Sequence, residues 1–341
     1  MPDTPPPPPP RPGPPPLRRR TVLLGTAGAI LGAAGCTSTS PSATTSPTPN
    51  SAAGTTATGG TPTPQPLPAT TPWLPGPGEV EPDVKLRAVE LVEALGAWGP
   101  GGEGLGPARA RVAALGLDPA LADQAGPLLP SAPEAAVQVV VAQYGGLLAD
   151  SASVMVPCRQ WTRAADGGVA PGGTTLDVRL SRAQPRWTVT ALQPAQPGAA
   201  AAVLPAAAAR VLAEPRIQLP PAAVADLQSG SVHQSVLEAM LTLARDYTFA
   251  VTVVRSGHPI DVYGTDRPSD HPPGRAFDVW QIDGRMVVDP ATPHDLVDGF
   301  MRAAAAAGSY NVGGPRQLPT VGNQFFSDVT HRDHVHVGFR S

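Results

Sequence analysis

The 341-residue chain has two cysteines, Cys36 and Cys158, and a single lysine, Lys85. So few cysteines exclude a disulfide framework. Cys36 is claimed by a processing motif described below, which leaves Cys158 without an intramolecular partner and reads it as a small buried apolar residue. Charged residues make up only 15% and the net charge is -3, so neither nucleic acid nor an anionic membrane surface is an expected partner. No apolar run reaches the roughly 20 residues of a membrane-spanning helix. Arginine supplies every other basic side chain. We read that skew, with 45 Pro, 36 Gly and abundant Ala, as a GC-rich coding background.

Arg18-Arg19-Arg20 precede an uncharged, mostly apolar run over 21–35 that ends at Cys36. A basic segment, a short apolar segment and small residues before a cut describe a secretory signal. Ala33-Ala34-Gly35-Cys36 resembles a bacterial lipobox, in which the Cys is lipidated after cleavage. Arg19-Arg20 followed by Thr21-Val22-Leu23 also resembles a twin-arginine export signal. Residues 1–36 are therefore expected to be a lipoprotein signal, and the protein to be exported and anchored by lipid at Cys36 to the outer face of a bacterial membrane. Residues 37–78 hold no charged residue before Glu79. They are rich in Ser, Thr, Pro and Gly, and are expected to be a disordered tether.

The fold class expected is α+β in two domains. Residues 79–195 read as a small α+β domain, with helices over 84–98, 107–115 and 132–147, then strands over 153–162, 174–180 and 186–192. It holds no His and no carboxylate cluster, so no chemistry is assigned to it. It is weakly similar to the cone-shaped helix-and-sheet domains of bacterial lipoproteins. A Pro- and Ala-rich break over 194–209 leads into a second domain, 206–341. There a helix is expected over 232–246, a buried strand in "FAVTVVRSG", and a hairpin turning at Asp283-Gly284. A helix over 295–307 and a last strand in "DHVHVGF" complete it.

Four of the seven His fall in two short stretches, "SDHPPGRAFDVW" (269–280) and "HRDHVHVGF" (331–339). Asp278 lies on a strand, and His271 sits in the loop leading into it. His334 and His336 share a face of the last strand. Pairing that strand with the hairpin brings imidazoles and one carboxylate together, the open three-ligand zinc set of a hydrolase. His334 and His336 can also both reach one metal. His233 and His294 read as helix-start residues.

Ser269-x-His271-x-x-Gly274-x-Ala276-x-Asp278, followed by His334-x-His336, resembles the D-Ala-D-Ala metallopeptidase family of the hedgehog/DD-peptidase fold. The likeness covers roughly the last 110 to 130 residues. It implies an antiparallel sheet with helices, one Zn2+ per chain on His271, Asp278 and His336, and a catalytic or supporting role for His334. His331-x-x-His334-x-His336 resembles the endopeptidase branch, with His331 a further catalytic candidate. The dipeptidase branch carries a Glu where this chain has Asp333, which leaves the general base open. The family's substrate-binding Arg is matched by Arg255 first, with His258 and Arg267 as alternatives. The resemblance implies a zinc-dependent hydrolase of peptidoglycan stem peptides, of carboxypeptidase or endopeptidase type. The alternatives are an inactive, zinc-containing envelope-binding lipoprotein of the same fold, or a metal that only stabilises the domain.

Overall fold

The computed structural model describes residues 65–320 and 322–341. The expected signal, Cys36 and the tether as far as residue 64 lie outside the described residues. Helix α1 (Pro82–Gly96) starts on a proline, whose missing N–H costs nothing in a first turn. It buries Val84, Ala88, Leu91, Val92 and Leu95. Helix α2 (Leu105–Ala114) follows.

The segment 132–147, expected as a helix, is instead two strands, β1 (Ala135–Val139) and β2 (Gln143–Leu147). Val137, Val139, Val140 and Val141 are β-branched, and burial along β1 alternates with period two. Those stiff side chains outweigh the Ala-rich start of the segment. β3 (Ser151–Arg163), β4 (Val169–Ser181) and β5 (Thr188–Pro194) complete an antiparallel sheet in the order β1-β3-β4-β5, with β2 also paired on β3. Its core is shared with α1 and α2. The charge-free stretch joins this body from Gln65 onward. Thr71 and Gln138 exchange two hydrogen bonds of 2.8 and 2.9 Å, and the Trp73 N–H donates to Glu93 at 2.9 Å.

Helix α3 (Ala206–Ala213), strand β6 (Ile217–Gln218), α4 (Pro221–Gln228) and α5 (Gln234–Leu243) lead to the buried strand β7 (Phe249–Val253). Then come β8 (Ala276–Ile282), β9 (Arg285–Met286), α6 (His294–Ala306), β10 (Asn311–Gly313), β11 (Phe325–Phe326) and β12 (Val335–Gly338). The sheet order is β11-β10-β12-β8-β7-β6, with β9 on β8. Its centre is antiparallel, but β6–β7 and β10–β11 pair in parallel, so the sheet is mixed where an antiparallel one was expected. α4 and α5 form the crossover that a parallel β6–β7 pair requires. Between β8 and β9, Asp283 and Gly284 have φ of 48° and 75°, the two left-handed residues of a type I′ turn. Phe249, Phe277 and Phe300 anchor this second core.

The described residues are thus mixed α+β and belong to one compact unit. Each sheet has its own apolar core. Buried polar contacts join them.

Candidate metal centre

Strand register brings the first two groups together. β12 runs antiparallel to β8 with His336 opposite Asp278, so both side chains point to one face. His336 Nδ1 lies 3.0 Å from Asp278 Oδ1. His271 is folded back by the turn before β8, where the Gly274 N–H donates to the His271 carbonyl at 2.8 Å. Gly274 has φ of 76°, and a Cβ there would lie 2.2 Å from the Ser231 carbonyl oxygen, so only glycine fits. The Ser269 hydroxyl accepts from the His271 N–H at 3.3 Å. His271 Nδ1 lies 2.9 Å from the Val254 carbonyl, which holds a proton on that nitrogen and leaves Nε2 as the free lone pair. His271 Nε2 is 3.2 Å from Asp278 Oδ1 and 3.2 Å from His336 Nδ1.

These three atoms form a triangle with edges of 3.0 to 3.2 Å. Donors about 2.0–2.1 Å from a tetrahedral ion stand about 3.3 Å apart, so the triangle fits one face of such a tetrahedron. His258, His271 and Asp278 also offer ligand atoms within 4.8 Å of one another, and that group can hold a metal ion. The two triples share His271 and Asp278 and differ in the third member. The His258 ring stacks on His271 at 3.9 Å with 14° between planes, so their in-plane lone pairs run side by side instead of meeting at a point. Its Nδ1 faces the Pro259 carbonyl at 2.9 Å. His258 therefore suits the wall of the site better than the ion.

The charge states match a metal's needs. Burial alone would raise the Asp278 carboxyl, but His271, His334 and His336 hold it well below the usual carboxylate range. Burial pushes His336 down to about 4, helped by His271 and His331 and opposed by Asp278. Burial likewise pushes His258 well down. A carboxylate and neutral imidazoles are what a divalent cation binds.

His334 sits just before β12, buried, with Nδ1 2.6 Å from Asp333 Oδ1 and Nε2 3.8 Å from Asp278 Oδ2. Burial alone would lower its pKa, but Asp278 and Asp333 outweigh that and raise it. His331 lies at the rim, 2.7 Å from Asp328 through Nδ1, with its ring edge-on to Phe326. A cavity of about 410 Å³ opens onto the site, lined by His258, Tyr263, Arg267, Phe326, His331 and His336 among others. Arg255 is elsewhere. Its guanidinium is 3.8 Å from Asp226 and 3.3 Å from the Pro197 carbonyl, and it lines a neighbouring cavity with Asp177 and Gln193.

Three contributors come from the first sheet's side, where the sequence carried no visible chemistry. Gln143 Nε2 donates to Asp278 Oδ2 at 2.8 Å. The Tyr144 N–H donates to Asp333 Oδ2 at 3.1 Å. Lys85, fully buried on α1, places Nζ 2.7 Å from the same oxygen. The solitary lysine was the one signal in the sequence that could have pointed here. Comparison with protein-family models, with curated proteins and with solved structures found no match for the chain.

Proposed function

We propose that the chain is a zinc-dependent peptidase of the bacterial cell envelope, hydrolysing peptide bonds of peptidoglycan stem peptides. The observation that carries this reading is the donor triangle of His271 Nε2, Asp278 Oδ1 and His336 Nδ1, with His334 beside it. In this reading those three residues hold one Zn2+ per chain, and the residues around 206–341 form a hedgehog/DD-peptidase-like domain beside a smaller one over 79–195. The lipid anchor at Cys36 would keep the enzyme facing its wall substrate.

A zinc ion so held would supply Lewis-acid polarisation of the scissile carbonyl and a water acidic enough to react near neutral pH. The protein's own residues do the rest. His334 has Nδ1 committed to Asp333, which leaves Nε2, 3.8 Å from Asp278 Oδ2, as the nitrogen that would take the attacking water's proton and return it to the leaving amine. Asp333 carries no free role as base, because Lys85, Tyr144 and His334 all engage it. Arg267 stands exposed on the cavity wall and makes no ion pair among the described residues, so it is suited to grip a peptide carboxylate. Tyr263 and Phe326 line the apolar side. His331 stands on the cavity wall beside Phe326.

The test is zinc content by mass spectrometry with turnover of purified muropeptides. The chain should carry one zinc, lost in His336→Ala. His334→Ala should keep the zinc and lose roughly a hundred- to ten-thousandfold in kcat, the usual worth of a general acid–base group. A wild-type protein that takes up no zinc on reconstitution would refute the proposal, and loss of zinc in His334→Ala would make His334 a ligand.

A further inference from the structure

We infer that Lys85, the chain's only lysine, is a positioning residue for His334, acting from helix α1 through Asp333. The inference rests on the peptidase reading for its kinetic consequence, but its geometric content stands apart from it. Lys85 is 0% exposed. Burying an ammonium is costly unless partners replace its water. Here two carboxylates do so, Glu79 and Asp333, and the Tyr144 ring lies 5.0 Å from Nζ. Tyr144 is itself fixed, its hydroxyl donating to the Val80 and Glu81 carbonyls at the start of α1.

One carboxylate would have balanced the charge. The second, Asp333, has its two oxygens divided. Oδ2 accepts from Lys85 Nζ at 2.7 Å and from the Tyr144 N–H at 3.1 Å, which leaves Oδ1 for His334 Nδ1 at 2.6 Å. Three donors from three elements thus fix the Asp333 rotamer. The rotamer fixes the proton of His334 on Nδ1 and turns Nε2 toward Asp278. A compact ammonium fits between two carboxylates, where the broad planar fork of arginine does not. That accounts for lysine at this one position in a chain that otherwise uses arginine throughout.

The test uses the full, zinc-loaded chain with imidazole nitrogens labelled by 15N. Wild-type His334 should carry its proton on Nδ1, seen as a strongly downfield N–H resonance. A ring protonated on Nε2 and not on Nδ1 would overturn the inference without any variant. Lys85→Met strips the ammonium from two buried carboxylates, so the charge-balanced pair Glu79→Gln/Lys85→Met is made beside it. The pair should melt as a folded protein with one zinc, yet shift or lose the His334 resonance. On muropeptide it should lose about ten- to a hundredfold in kcat with KM within about twofold, the range seen when an orienting partner is removed. Lys85→Arg should not restore either readout. A folded pair with the resonance and kcat unchanged would reduce Lys85 to a staple between the two cores. If wild type cleaves no muropeptide, the peptidase reading fails while the resonance still decides the inference.

Discussion

Removing the side chain that reaches Asp278 from the other sheet should weaken metal binding without dismantling the fold. Gln143 on β2 donates Nε2 to Asp278 Oδ2 at 2.8 Å, across 135 positions of sequence. Both residues are buried, Gln143 at 0% and Asp278 at 1% exposure, so no water can take over the bond. A hydrogen bond to a charged group contributes about 1.5–3 kcal/mol. Gln143→Leu keeps the volume and deletes the donor. At about 1.4 kcal/mol per tenfold, the zinc Kd should rise about ten- to a hundredfold. Stability should suffer less, because Gln143 Oε1 has no hydrogen-bond partner and leucine removes that buried orphan together with the donor. The assay is competition against a fluorescent zinc chelator at neutral pH, with a thermal melt of the chelated protein as control. A Kd within about twofold of wild type, in a protein that melts normally, would refute the coupling between the first sheet and the metal ligands.

Gly274→Ala should be costly, since its Cβ would lie 2.2 Å from the Ser231 carbonyl at a φ of 76°. A strained residue costs on the order of 1–3 kcal/mol, so Tm should fall by about 3–10 °C and zinc affinity with it as His271 moves; an unchanged melt would refute the close approach. In protein held free of zinc by chelator, His336 has its pKa pushed down to about 4, below the ordinary value near 6.5. The unfolded chain then binds the proton more readily. This contribution to stability is therefore full above about pH 6.5 and is lost as pH falls toward 4. Denaturant melts at pH 7 and pH 4.5 should show a larger acid loss for wild type than for His336→Gln, and equal losses would refute the assignment.

The sequence carried the second sheet's side of the site because its constraints are local. The motif from Ser269 to Asp278 encodes a turn that only Gly274 permits, followed by a strand whose period aims Asp278. The pair His334-x-His336 straddles the start of one short strand, and Asp283-Gly284 names its own turn type. Other features were hidden for identifiable reasons. The helix expected over 132–147 dissolved into β1 and β2 because four valines set a preference that only the sheet could reveal. β6, β10 and β11 are two or three residues long, too short to show a period. α4 hides in Pro- and Ala-rich composition. Gln143, Lys85 and Asp333 are joined only by the packing of two cores, a long-range relation that no spacing rule carries. The single lysine, read as coding bias, proved to be fully buried between two carboxylates.

The donors differ in how they meet solvent. His271 and Asp278 are sealed at 0% and 1% exposure, while His336 keeps 8% and alone of the three borders the 410 Å³ cavity. In the peptidase reading, the opening lined by Phe326 and His331 would serve both the ion and the peptide. An ion held there would exchange at a rate set by traffic through that opening, and a product lingering in the cavity would slow its capture by a chelator. Metal loss timed with and without bound peptide would then report how long each product stays.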